Sequence, residues 1–527
     1  MTPIGGHPTA ARGWLIGPVI CAAVVLGVLL VVVSTQPAGV FWDDGVYLTT
    51  ARALATGEGY RFAHLPGSPP AVHFPPAWPL LLAAVWRLVP DFPANIGVFS
   101  LLNVVLGALG AGLVCAYAVR RAGIPAAVAV PVTTIFALTL PVMVLASVLF
   151  AEPLFLVCVV ATLFAADRAV ERGGARDAVI VGIAAGVAML VRSTAIALVP
   201  AIVGSLLLAR RRREAAYALA AAAAVAGPWM VWAAANAGQL AAPLRGNYGG
   251  YVSWLAGAVA ERGAPFVAAI ARQNIVSIER SFAVVFFPVG VRELRPLLIA
   301  LLCVAVALGL LALWARARTL VVFAICYAAL IVVWPYAPDR FAWAVWPLVG
   351  IIIAAGATAA WNFVAARGAA PAHRVAAGVA CFVACLAVAG DAFYSARGVS
   401  RGWVDVAQRR NAARLTPVVD WVNANTAPDD VIACDGEPFV HLQTGRRVIP
   451  VHILSPDEYL AGTPVQLAAD DLRALIAVGG ASYAVLSAGS AELAAAPLLD
   501  EQSGSPWLTP VDTLFGGGVA FRVNRSP

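Results

Sequence analysis

Eleven stretches of this chain are apolar over lengths close to those that cross a lipid bilayer, and that succession limits the fold more than any other feature. A spanning helix takes about 20 apolar residues. Candidates fall at 13–34, 97–119, 124–146, 148–166, 178–191, 194–209, 215–236, 297–314, 319–336, 341–366 and 375–395. The fifth and sixth are short and read as a tight pair meeting at Arg192. Of the 527 residues 61% are hydrophobic and 12% charged, about half the charged share of a soluble protein. The chain reads as a polytopic α-helical membrane protein. Gly13 to Ser34 is too long for a signal-peptide core and is expected to remain as the first span.

Arginine positions orient these spans. Every one of the 35 basic residues is arginine, and the net charge is +7. The arginines cluster at helix ends, so membrane topology accounts for them and no nucleic-acid partner is expected. With the N-terminus cytoplasmic, Arg120-Arg121, Arg168/Arg172/Arg176, Arg210 to Arg213, Arg316/Arg318 and Arg367/Arg374 all fall inside. Asp43-Asp44, Ser147, Arg192, residues 237–296 and Pro335 to Arg340 then fall outside, together with everything after the eleventh span. The apolar stretch 77–89 contains Arg87 and ends at Pro90. A crossing there would invert every later turn, so it is expected to lie along the outer surface. The first external loop therefore runs over 35–96, and 237–296 reads as a second long loop.

Beyond Tyr394 charges rise and long apolar runs stop. The expected organisation is a membrane domain over 1–396 and an extracytoplasmic α/β domain over 397–527. Leu415–Asn423 and Asp470–Val478 have helical period, while Asp430–Cys434, Arg447–His452, Tyr483–Ser487 and Val519–Val523 read as strands. Of eight cysteines only Cys434 lies in this tail, which excludes an internal disulfide there. Asp435-Gly436-Glu437 and Gly445-Arg446-Arg447 read as turns. No nucleophile elbow, zinc cluster or phosphate loop is present in the tail, so no enzymatic role is expected of it.

The proposed topology gathers distant polar residues on the outer face. Asp43 and Asp44 follow the first span, His73 precedes Pro75-Pro76, and Glu152 lies near the outer end of the fourth span. Arg192 caps the short pair, and Arg340 follows Trp334-Pro335-Tyr336-Ala337-Pro338-Asp339. A carboxylate beside an acceptor hydroxyl or amine can take its proton during attack. Arginine offers a permanently charged planar fork that matches phosphate oxygens. Paired carboxylates with a nearby histidine can also hold a divalent metal. Simpler readings stand beside these. Asp43-Asp44 can cap the following helix, Glu152 can favour a helix start through the macrodipole, Arg192 can snorkel, and His73 can be an interfacial hydrogen bonder.

The acidic pair after the first span, Gly57-Glu58-Gly59 and Pro75-Pro76 resemble the first external loop of polyprenyl-phosphate-dependent membrane glycosyltransferases of the GT-C fold. Within that class the chain is similar to protein O-mannosyltransferases and aminoarabinose transferases. Ala151-Glu152-Pro153, Val191-Arg192-Ser193-Thr194 and Pro338-Asp339-Arg340-Phe341 resemble later landmarks of the same family. The resemblance covers residues 10–395. It implies transfer of a sugar from a polyprenyl phosphate to an envelope glycan, lipid or protein at the non-cytoplasmic face of the cell membrane, with inversion. Asp43 would be the base with Asp44 its partner, and Arg340, Arg192 and His73 would hold the donor phosphate. Glu152, Glu58 and Tyr336 would line the substrate pocket, and a divalent metal is possible. One departure is Phe74, where the family often carries a basic residue before the double proline. A transporter or flippase is the rival from another class, and a non-catalytic envelope scaffold a third. Charges at the outer boundary and the absence of a repeat disfavour transport.

Overall fold

The computed structural model describes residues 13–33, 37–288, 292–365, 370–455, 458–461, 465–490 and 507–524. Arg367, expected in a cytoplasmic turn, lies outside them. The membrane part begins with α1 (Ile16–Val32), α2 (Trp42–Thr56), α3 (Ala77–Leu88), α4 (Ile96–Arg120), α5 (Ala126–Ala137) and α6 (Leu140–Ser147). It continues through α7 (Glu152–Arg172), α8 (Ala175–Val191), α9 (Leu198–Leu208), α10 (Arg212–Asn236), α11 (Arg245–Tyr248) and α12 (Tyr251–Phe286). The remaining helices of this part are α13 (Arg295–Trp314), α14 (Arg318–Val332), α15 (Asp339–Ala344), α16 (Trp346–Ala365) and α17 (Pro371–Ser400). Among the described residues six helices are long and apolar enough to cross a membrane, or seven if α5 and α6 form one bent span. α1, α3, α14 and the segment Ser193–Leu208 are shorter apolar helices. The chain is a multi-pass membrane protein.

Small residues let the helices pack closely, as membrane interfaces require where lipid supplies no hydrophobic drive. A Cβ on Gly182 of α8 would lie 2.3 Å from the Ala218 carbonyl of α10. Gly309 of α13 and Gly356 of α16 face one another, each 2.0 Å from a backbone oxygen of the other helix by the same measure. Arginine-bearing turns come together at one face. Arg121 pairs with Glu171 at 2.5 Å, Arg168 with Asp177 at 3.1 Å, and Arg211 Nε donates to the Val170 carbonyl at 3.0 Å.

Two expectations for the membrane part are corrected. The stretch 124–146 is not one helix but α5 and α6, bent by 59°. Pro141 sits in the first turn of α6 and has no N–H to continue the ladder. The buried Asp391 of α17 accepts from Thr139 at the break, at 2.7 Å. The stretch 237–296 is largely helical, dominated by the 36-residue α12, which bends at Gly263 (φ +69°) before Pro265. Its charges, Glu261, Arg262, Arg272, Glu279 and Arg280, hid it from a search for apolar length. α12 is a brace. Asn274 donates to the carbonyls of Ile331, Val332 and Trp334, satisfying oxygens at the end of α14. Ser277 and Ser281 both donate to Asp339, at 3.0 and 2.8 Å.

The C-terminal part carries α18 (Val406–Asn425), β1 (Val431–Cys434), α19 (Glu437–Thr444), β2 (Arg447–Ile449), α20 (Glu458–Ala461) and α21 (Val465–Gly479). It closes with β3 (Tyr483–Leu486), β4 (Leu508–Leu514) and β5 (Gly518–Val523). The sheet order is β2-β1-β3-β5-β4, with β2, β1 and β3 parallel and β5 antiparallel to both its neighbours. β2 stops at Ile449 rather than His452 because Pro450 cannot donate to a ladder. α19 runs between the two stretches that read as turns, and both remain turns. Gly436 (φ +60°) and Gly445 (φ +73°) are its left-handed ends. This unit is bound to the first loop. The Arg447 guanidinium donates to the Ala63 and Leu65 carbonyls, and Val448 N–H donates to the His64 carbonyl at 2.8 Å. Pro438 of α19 presses on Gly45 of α2, where an added Cβ would lie 2.8 Å from the Pro438 Cβ.

Candidate active site

Four charged side chains from four separate segments meet. Asp43 lies in the first turn of α2 and Glu152 is the first residue of α7, both where the helix dipole favours negative charge. Arg192 follows α8 in extended backbone, and Arg340 is the second residue of α15. Arg340 Nη1 donates to Asp43 Oδ2 at 2.5 Å, and its Nε donates to Glu152 Oε1 at 2.5 Å. Arg192 Nη1 lies 2.7 Å from the same Glu152 oxygen. The side chains of Asp43 and Arg340 are 24% and 27% exposed, against 2% and 9% for Glu152 and Arg192. A front pair thus faces an opening, and a buried pair stands behind it.

The surroundings hold this cluster in place. Between α6 and α7 the chain turns at Val148-Leu149 and is buried. Asn103 donates to the Val148 carbonyl at 2.7 Å and Trp78 Nε1 to the Leu149 carbonyl at 3.1 Å. The segment presents Phe150, whose ring centre is 3.6 Å from Arg340 Cζ, while Phe341 lies under Arg192. Glu152 Oε2 and Arg340 Nη2 are buried and find no protein hydrogen-bond partner among the described residues. Most buried polar atoms in folded proteins have a hydrogen-bond partner.

A cavity of about 460 Å³ opens on the front pair. Trp42, Asp43, His73 and Phe74 line it from the first loop, Arg192 to Thr194 from the α8 end, and Trp334, Tyr336, Arg340 and Phe341 from the loop before α15 and its first turn. Asn247 comes from α11, and Glu437, His452 and Leu454 come from the C-terminal part.

The structure therefore brings Asp43, Glu152, Arg192, Arg340, His73 and Tyr336 to one place, and it separates Asp44 and Glu58 from them. Asp44 is fully buried and turned inward. Its Oδ2 accepts from Gly39 N–H at 2.7 Å and its Oδ1 from Gly45 N–H at 3.0 Å. Burial pushes its carboxyl up to about 7, against those backbone bonds. Asp44 binds the backbone at Gly39 and Gly45 and does not line the cavity, and it does not cap α2, whose N-cap is Phe41. Glu58 stands exposed past the far end of α2, roughly 20 Å from Asp43 at 1.5 Å per residue. It accepts from Thr56 and does not line the cavity.

His73 is at the cavity, where burial favours its neutral ring. Burial lowers it to about 4, and its Nδ1 lies 2.7 Å from the Gly249 carbonyl. Among the described residues no group of three or more His, Cys, Asp or Glu stands in reach of one ion. Asp43 is engaged by Arg340 and Asp44 by backbone amides, so these residues do not form a metal cage.

Sequence reasoning missed the part of the wall that the C-terminal unit supplies. Trp42 Nε1 donates to Glu437 Oε1 at 2.9 Å, and Tyr248 OH donates to the same oxygen at 2.6 Å. Glu437 is 395 positions from Trp42. No local pattern could have announced the contact.

Residues 73–232 match the family model of dolichyl-phosphate-mannose-protein mannosyltransferases. No curated protein sequence matches the chain. Among solved structures the chain is similar to ArnT from Cupriavidus metallidurans bound to undecaprenyl phosphate, at 15% identity and a TM-score of 0.50, over 97% of this chain and 98% of that one. The apo state of the same protein aligns over the same shares at 16% identity and a TM-score of 0.49. The arabinosyltransferase EmbB from Mycobacterium smegmatis aligns over 77% of this chain and 42% of its own, at 14% identity and a TM-score of 0.43. At 15% identity it is the fold that ArnT shares with this chain, and that fold is the helical membrane GT-C architecture with its C-terminal sheet.

Proposed function

We propose that the chain is a membrane glycosyltransferase that moves a sugar from a polyprenyl phosphate to an envelope acceptor on the non-cytoplasmic face. One observation carries the reading. Asp43 and Arg340 stand side by side at the mouth of a single cavity, backed by Glu152 and Arg192. ArnT binds undecaprenyl phosphate, which supports a lipid phosphate as the donor's leaving group here.

Asp43 takes the proton of an acceptor hydroxyl as its oxygen attacks the anomeric carbon. The bond from that carbon to the phosphate oxygen breaks on the opposite side, and the electron pair leaves with the polyprenyl phosphate. Attack opposite the leaving group inverts the centre. Arg340 faces the developing phosphate charge, and fixed cations at such a point lower the barrier without reorganisation. Glu152 holds Arg340 and Arg192 in register. Trp42, Phe74, Tyr336 and Phe341 supply an aromatic wall for the sugar. The arginine-rich turns gather at a face of their own, and the positive-inside rule makes that face cytoplasmic.

The test is mass spectrometry of envelope glycans from cells carrying Asp43→Asn or Arg340→Ala at wild-type expression. Loss of one sugar-bearing species by a factor of about 100 or more is expected of either variant. Unchanged glycans in both would overturn the reading, and protease cleavage of the first loop from the cytosolic side would overturn its orientation.

A further inference from the structure

We propose that Glu437 is a positioning residue of this site, so that the C-terminal α/β unit is a working part of the catalytic cavity. The inference rests on the glycosyltransferase reading and assigns that reaction a residue outside the region of sequence resemblance.

Glu437 opens α19, is 4% exposed, and lines the same cavity as the arginines. A buried carboxylate is costly without compensation, and among the described residues it forms no ion pair. Its Oε1 instead accepts two hydrogen bonds, from Trp42 Nε1 and from Tyr248 OH. Tyr248 is itself 2.9 Å from His64 Nε2. One oxygen thus joins the first loop, α11 and the C-terminal unit.

Trp42 is the consequential partner. It precedes Asp43 in the first turn of α2, and its ring lies 5.3 Å from His73, 5.8 Å from Phe74 and 5.2 Å from Tyr248. An indole has one donor and no acceptor, so the Glu437 oxygen selects one orientation of that ring. The close seat of Pro438 against Gly45 fixes the distance between α19 and α2. Trp42 forms the wall next to the base. Its displacement misaligns whatever stands between Asp43 and the anomeric carbon and leaves the phosphate seat at Arg340 intact. Misplacement on the scale of an ångström costs up to about 100-fold in rate.

Glu437→Leu removes both acceptor positions, and Glu437→Gln keeps one carbonyl oxygen able to accept from both donors. Two readouts on the full chain separate the roles: envelope-glycan product in cells at matched expression, and affinity of the purified protein in lipid nanodiscs for undecaprenyl phosphate. The leucine variant is expected to lose at least about tenfold in product with lipid affinity unchanged within twofold, and the glutamine variant to recover to within about threefold of wild type. Trp42→Phe should lower product similarly, and adding Glu437→Leu to it should cost little more. Wild-type product from Glu437→Leu overturns the proposal. So does a glutamine variant as impaired as the leucine one, which would assign the negative charge itself to the reaction. Parallel loss of lipid affinity also overturns it, as the mark of a purely structural residue. Arg340→Ala run alongside distinguishes the two claims: wild-type lipid affinity there removes the donor reading, whatever Glu437 does.

Discussion

Replacing Glu152 by glutamine changes one charge and almost no volume at the point where two arginines meet. Glu152 Oε1 lies 2.5 Å from Arg340 Nε and 2.7 Å from Arg192 Nη1, in a side chain 2% exposed. With Asp43 the four formal charges sum to zero, and the substitution leaves the cluster at +1. Two effects of opposite sign follow. An entering phosphate no longer faces the Glu152 charge, and at roughly 8 Å with an effective dielectric of about 20 that relief is about 2 kcal/mol. Weaker hydrogen bonds to the amide free the arginines and return about 1 kcal/mol of it. The balance of about 1 kcal/mol is roughly fivefold tighter binding of undecaprenyl phosphate. Product moves the other way, falling at least about 100-fold, because Arg340 loses the partner that aims it at the phosphate. The assay is titration of undecaprenyl phosphate against purified protein in nanodiscs, paired with glycan mass spectrometry in cells. Weaker lipid binding by Glu152→Gln would refute the electrostatic argument, since no neutralised anion at an anion's seat should repel it more.

Two further predictions concern the frame of the site. Gly45→Ala puts a methyl group 2.8 Å from the Pro438 Cβ and 2.9 Å from the Gly39 carbonyl oxygen, and overpacking of this kind costs about 1–3 kcal/mol. A lowered melting temperature in detergent is expected, and an unchanged one would mean that α2 and α19 are not seated together. Asp44 sits near 7 in the folded protein, above the unfolded value of about 3.9. The folded state therefore binds the proton more tightly, and this group's contribution to stability is largest below about pH 4, falls as pH rises to about 7, and is flat beyond. Asp44→Asn should remove that slope from melting temperatures measured over pH 4.5–8, and identical slopes in the two proteins would sink the assignment.

How much was legible varies with the physics behind each feature. Apolar helices such as α4, α7 and α16 could be read because a bilayer forces each segment to satisfy its own backbone within about 20 residues. Asp43, Glu152, Arg192 and Arg340 stood out because charge beside lipid is expensive and persists where it is used. α12 did not, because a helix bearing Glu261, Arg262, Arg272, Glu279 and Arg280 carries no apolar-length signal. The preference of His73 for a neutral ring and the inward turn of Asp44 depend on what surrounds them, not on the residues beside them in the chain. Glu58, drawn into the pocket by resemblance, lies at the wrong end of α2.

The chain alone determined that this is a multi-pass helical membrane protein, where its arginine-marked turns lie, and which four ionic residues stand out, because transfer of side chains from water to lipid is a local free energy that each residue carries wherever it goes. Only the tertiary structure decided which of those charges are partly exposed and which are buried, and that a carboxylate from the C-terminal part joins the cavity lining. Hydrogen bonds close over about 3 Å, and contacts of that reach between residues hundreds of positions apart exist only once the chain has folded.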